Sequence, residues 1–131
     1  MNESSKKDYI DYRFHLAKET LEAAHSLARD KHWNSVINRL YYSCFYAISA
    51  LLYKHDINAR SHSGIKHQFG LHFIKTGKIE KADSEIYINL FDFRQLGDYA
   101  DFVDFDEGKT APMIPQVESL LDKIEKLIKE K

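Results

Sequence analysis

The sequence predicts an all-α fold, an antiparallel up-and-down bundle of four to five helices. Three observations lead there. Apolar residues recur in steps of three and four along most of the chain, and no stretch alternates with period two. Only five Gly and two Pro interrupt 131 residues, too few for a turn-rich β sandwich. The gaps between periodic stretches are short, so successive helices are expected to lie as antiparallel neighbours around one core. The length suits a single domain over residues 1–131, large enough to bury roughly two-thirds of the surface of its unfolded chain.

The first helix carries Ile10, Phe14, Ala17, Leu21, Ala24 and Ala28 on one face; Ser4 or Ser5 is placed to cap its start, and Asp30-Lys31-His32 to break it. The second runs from Trp33 to Lys54. Val36, Ile37, Leu40, Tyr41, Cys44, Phe45, Ile48, Leu51 and Leu52 give it the broadest apolar face in the chain, as a central helix with several neighbours requires. Asp56 to Arg60 reads as a loop. Ser61 is a cap for a third helix bearing Ile65, Phe69, Phe73 and Ile74, which stops near Gly77. A fourth opens with Asp83 as N-cap and runs through Ile86, Leu90 and Phe93 past Tyr99. The acidic stretch Asp104–Gly108 reads as loop. A fifth begins near Thr110 or Pro112 and carries Val117, Leu120, Leu121, Ile124, Leu127 and Ile128. It ends in Lys129 and Lys131, whose charge suits a helix C-terminus.

Net charge is near zero, at −1, so the chain lacks the broad Lys/Arg excess that grips nucleic acid non-specifically; a local basic pocket stays open as an option. Cys44 stands alone and forms no internal disulfide, in keeping with a reducing cytoplasm. The first twenty residues mix charge and aromatics, unlike a secretory leader. No window approaches the roughly 18 apolar residues of a membrane span. A cytoplasmic protein without membrane contact is expected.

Two segments carry a family resemblance: Asn38-Arg39-Leu40-Tyr41-Tyr42-Ser43-Cys44-Phe45-Tyr46-Ala47 on the second helix, and Arg94-Gln95-Leu96-Gly97-Asp98-Tyr99-Ala100-Asp101 on the fourth. His62-Ser63-Gly64 opens the third helix between them. In this order they resemble HEPN-domain proteins across essentially the whole chain, particularly the small single-domain group whose fourth helix reads Arg, three residues, Asp, Tyr. The resemblance implies a bundle of four or five helices that pairs as a two-fold dimer. It also implies association with RNA metabolism, toxin–antitoxin pairs and nucleotidyltransferase partners. Active members carry Arg, four to six residues, then His. Two such motifs meet across the dimer and cleave RNA without metal, Arg steadying the phosphate and His handling the proton of the 2′-hydroxyl. Here Arg94 matches, and Tyr99 stands in the place of the His. A Tyr titrates near pH 10 against about 6.5 for His, so Tyr99 is a poor base at neutral pH. Arg94 still suits a phosphate, and the Tyr99 ring still suits stacking on a base.

Each candidate has a plainer reading. Arg94 and Asp98, four apart, make a helix-surface ion pair worth a few tenths of a kcal/mol. Asn38 and Tyr42 share a face of the second helix; they either line a polar pocket opposite Arg94 or form a buried hydrogen-bonded pair that fixes helix register. His62, His67 and His72 are spaced so that successive side chains turn about 140° on a helix and diverge. With no HExxH and no Cys cluster, no metal and no cofactor is expected. His62 is the residue that folding would have to bring to Arg94 if a substitute base exists. Cys44 reads as a buried small hydrophobe rather than a nucleophile, and Tyr41, Phe45 and Trp33 read as core. The acidic run Asp101, Asp104, Asp106 and Glu107 reads as a solvated loop able to meet a basic partner.

A homodimeric module is therefore expected, one that cleaves RNA poorly or not at all near pH 7. It binds a nucleotide, an RNA end or a protein partner around Arg94, Asp98 and Tyr99, with Asn38 and Tyr42 nearby. A nucleotidyltransferase is the partner that the resemblance implies. Two alternatives stay open: a toxin-like, metal-independent ribonuclease with His62 as base, and a purely structural dimer. The eight Tyr, eight Phe and one Trp are in keeping with self-association, because aromatic residues are enriched at interfaces.

Overall fold

The computed structural model describes residues 2–99 and 104–130, with the backbone alone for residues 95–99. Helix α1 (Glu3–Arg29) opens under Asn2, whose Oδ1 accepts a hydrogen bond from the Ser5 N–H at 2.8 Å. The cap therefore precedes the expected Ser4 and Ser5, which already lie inside the first turn. Helix α1 and helix α2 (Trp33–Lys54) end in the same way. Lys31 and Asp56 take left-handed backbone, φ 61° and 58°, and the next N–H bonds back into the last turn, His32 to Leu27 at 2.9 Å and Ile57 to Leu52 at 3.0 Å. The first of these reversals lays α2 back along α1. Lys6 then pairs with Asp56 at 2.9 Å, fastening the start of α1 to the end of α2.

Helix α3 (His62–Phe69) starts at its expected cap, with Ser61 Oγ accepting from the Gly64 N–H at 2.9 Å, and runs straight into a π-helical turn, Gly70–Ile74. Gly77, at φ 80°, turns the chain toward the next element. Helix α4 (Lys81–Tyr99) opens two residues before Asp83, which is not the cap but an acidic residue of the first turn, paired with Lys123. The stretch expected to be loop contains a one-turn helix, α5 (Glu107–Thr110), because Asp106 Oδ1 caps the Lys109 N–H at 2.9 Å. Nearby, the Phe105 N–H bonds to Asn34 Oδ1 at 2.9 Å, holding this segment to the start of α2. Helix α6 (Met113–Lys129) follows with Pro112 at its cap position.

Among the described residues there are five helices of two turns or more, one shorter helix and no strand. They form one packed bundle with α2 at its centre: eleven of its 22 residues are buried, and it touches α1, α3, α4, α5 and α6. Two kinds of core result. Helix α6 buries Ile114, Val117, Leu120, Leu121 and Ile124, all aliphatic. Where α2, α3 with its π-helical turn, and α4 meet, the largest fully buried side chains are aromatic: Tyr41, Tyr87, Phe69 and Phe73. No helix among the described residues is long and apolar enough to cross a membrane.

Candidate functional site

The aromatic corner is also where the polar residues gather. Tyr41 and Tyr42 project from adjacent positions of α2, the first fully buried and the second half-buried. Arg94 reaches both from α4, with its guanidinium carbon 5.2 Å from the Tyr41 ring centre and 5.6 Å from that of Tyr42. Contacts of this kind contribute about 0.5–2 kcal/mol and fix the direction of the donors. His62, the first residue of α3, meets the same rings. It lies 5.7 Å from Tyr41 and 5.9 Å from Tyr42, stacks on Phe45 at 4.5 Å, and shares a 2.7 Å hydrogen bond between its Nδ1 and the Tyr41 hydroxyl. Three helices thus bring one guanidinium and one imidazole onto a single pair of tyrosines.

The electrostatics follow from that crowding. Burial, and after it the charge of Arg94, holds His62 below the usual His value, so it is mostly neutral near pH 7. Burial pushes the Tyr41 phenol up to about 12 against the opposing pull of Arg94, so it keeps its proton. Tyr87, stacked on Tyr41 at 6.1 Å, is pushed up by burial and by its neighbour; its hydroxyl lies against Tyr41 without meeting hydrogen-bond geometry. A neutral imidazole in this setting has two possible roles. If Tyr41 donates to Nδ1, the proton of His62 sits on Nε2, which then donates to a ligand. If Nδ1–H donates to Tyr41, Nε2 is left as a base.

Of the sequence candidates, Arg94, Tyr42 and His62 come together. Asn38 does not join them as a buried partner of Tyr42. It is exposed, and its Oδ1 accepts from Arg39 Nη2 at 2.6 Å and Nε at 3.1 Å. Arg39 in turn lies over Tyr42 at 5.3 Å, so Asn38 is joined to the site through Arg39. The side chains of Asp98 and Tyr99, the proposed Arg94–Asp98 pair and Asp101 of the acidic run lie outside the described residues. Among the described residues no three His, Cys, Asp or Glu side chains converge as metal ligands. Cys44 is buried, and that burial pushes its thiol up, away from nucleophilic use.

Sequence reasoning missed three members. Tyr41 and Phe45 read as core, and Tyr41 is core; yet its hydroxyl serves His62, 21 positions away. Arg39 had a readable signal, since it stands three residues before Tyr42 on one helix face.

The chain belongs to the HEPN domain family, which it matches over residues 10–128. It is similar to a UPF0332 protein of Thermotoga maritima, 38% identical over 130 residues, covering 99% of this chain and 97% of that one. It is also similar to two Methanocaldococcus jannaschii proteins, each named "putative toxin". One is 30% identical, covering 95% of this chain and 92% of the relative; the other is 29% identical, covering 86% and 76%.

Proposed function

We propose that this chain is a dimeric HEPN module of a toxin–antitoxin type system that holds the phosphate of an RNA end or nucleotide at Arg94, without efficient cleavage. The observation that supports it best is the seating of Arg94 on Tyr41 and Tyr42 beside a mostly neutral His62. A guanidinium aimed by two rings is a preorganised phosphate donor set. His62 then acts as a second hydrogen-bond donor through Nε2, in the tautomer where the protonated Tyr41 donates to Nδ1. Asp98 and Tyr99 belong to the same proposed site, on the turn of α4 that follows Arg94, and Tyr99 offers a ring for a base. Two M. jannaschii relatives named "putative toxin" support the toxin–antitoxin setting. A nucleotidyltransferase is the proposed partner within it.

One observation favours a second reading. His62 stands beside Arg94 and is mostly neutral, so in the other tautomer it supplies the base that Tyr99 does not. Incubating RNA with the protein in EDTA near pH 7 separates the two. The binding module leaves RNA intact while shifting it on a gel, and Arg94→Ala removes the shift. Cleavage by the wild type that is lost in both Arg94→Ala and His62→Gln selects the ribonuclease. Tyr99→His is expected to raise cleavage in the first case, because it restores a group that titrates near neutral pH.

A further inference from the structure

Phe45 belongs to two places. Its ring stacks on His62, and it also lines a cleft of about 380 Å³ between α1, the middle of α2 and the loop that leads into α3. Tyr9, Arg13, Ser49, Tyr53, Asn58 and Arg60 are the polar and aromatic residues around it, and among the described residues no carboxylate lines it. Arg13 is held by rings, its guanidinium carbon 5.2 Å from the centre of Tyr46 and 6.0 Å from that of Tyr9. Tyr9 rests in turn on Tyr53 at 4.5 Å. The Nε of Arg13 is buried with no hydrogen-bond partner, and neither Arg13 nor Arg60 enters an ion pair among the described residues.

A half-buried cation without an anion costs folding free energy that ring contacts only partly offset. Three lysines of α1 have acidic partners: Lys6 with Asp56, Lys7 with Asp11 and Lys18 with Glu125. At Arg13 the described residues supply rings and no ion pair. A cleft of this size suits a small molecule. Its chemistry, guanidinium groups for a phosphate and tyrosine rings for a base, suits a nucleotide.

We propose that the cleft of Arg13, Arg60, Tyr9 and Tyr53 is a nucleotide subsite that takes one nucleoside monophosphate unit, phosphate on the arginines and base against Tyr9. Through the shared wall of Phe45 it receives the nucleotide next to the one held at Arg94. That adjacency rests on the reading of Arg94 as a phosphate site; binding of a free nucleotide does not.

The test follows the Ser49 and Asn58 backbone amides by NMR while adenosine 5′-monophosphate, and separately inorganic phosphate, is added to wild type, Arg13→Gln, Arg60→Gln and Arg94→Ala. The nucleotide is expected to shift both amides in wild type. Affinity read at these two amides should fall about tenfold or more in Arg13→Gln and several-fold in Arg60→Gln. Arg60 is exposed, so its variant keeps the fold even if Arg13→Gln does not. A short single-stranded RNA should bind more weakly to all three variants. If Arg94→Ala binds that RNA like wild type while Arg60→Gln loses nucleotide affinity, the reading of Arg94 fails and the subsite stands. Unmoved amides at millimolar nucleotide, equal affinity in wild type and both arginine-to-glutamine variants, or phosphate binding as tightly as the nucleotide would overturn the subsite.

Discussion

The seam that α6 contributes to the core and the corner where α2, α3 and α4 meet are both buried, but they are built from different atoms. The seam is Ile114, Val117, Leu120, Leu121 and Ile124, with no polar atom to satisfy. The corner buries the hydroxyls of Tyr41, which bonds to His62, and of Tyr87, which meets no hydrogen-bond partner, and it draws in Arg94. Aliphatic groups of equal volume would fill that corner without the cost of burying polar atoms. The seam carries no such cost; the corner carries it, together with the polar groups that the proposed phosphate site needs. Cys44 sharpens the contrast, since it is on the same helix, fully buried, and electrostatically inert.

The largest expected effect lies in the seam. Leu120→Ala should cost about 2–5 kcal/mol in urea unfolding, and the fraction that remains folded should bind RNA like wild type. Arg94→Ala should show the reverse pattern: RNA affinity down about tenfold or more, and unfolding free energy within about 1 kcal/mol of wild type. If Arg94→Ala destabilises as much as Leu120→Ala, the corner is structural and not a binding site. Tyr41→Phe keeps the ring and removes the hydroxyl, so it should cost about 0.5–1.5 kcal/mol in urea unfolding. It should also move the NMR titration of the His62 imidazole.

The smallest effect is on pH dependence. His62 is held below its ordinary value by burial and by Arg94, and His55 by burial and by Lys54 and Lys78. For both, the unfolded chain takes up the proton first. Their contribution to stability is full above the unfolded pKa of about 6.5 and is lost as pH falls from there through the folded values. Urea midpoints should therefore drop between about pH 7 and pH 5. In Arg94→Ala, His62 should titrate closer to its ordinary value and the drop should be shallower. An imidazole of His62 that titrates above 6.5 in the wild type would remove the basis for its neutral role.

The long helices were legible because burial writes a period into sequence. The face of Val36, Ile37, Leu40, Tyr41, Cys44, Ile48, Leu51 and Leu52 fixes α2, and the Trp33–Lys54 bounds read from it are those observed. Helix starts were harder, because several residues can cap the same turn: Asn2 acts where Ser4 or Ser5 was expected, and Asp83 lies inside α4. The one-turn α5 depends on a single cap, Asp106, within a stretch whose acidity suggested loop. The motif gave Arg94, but periodicity could not show that Tyr41 meets His62, a contact that exists only once α2 and α3 pack. Arg13 was invisible for a related reason. What sets it apart is a seat on rings with no ion pair among the described residues, which depends on the positions of Tyr9, Tyr46 and the α2–α3 loop.

On the proposed function, ligand phosphate arrives at Arg94 beside His62. The most direct measurement follows the His62 imidazole resonance by NMR during titration with a short single-stranded RNA bearing a 5′-phosphate. A phosphate at Arg94 offsets the charge that depresses His62, so the resonance should shift on binding and its titration should move upward. Both changes should disappear in Arg94→Ala. RNA that binds the wild type with His62 unmoved, and binds Arg94→Ala equally well, would show that the phosphate is held elsewhere.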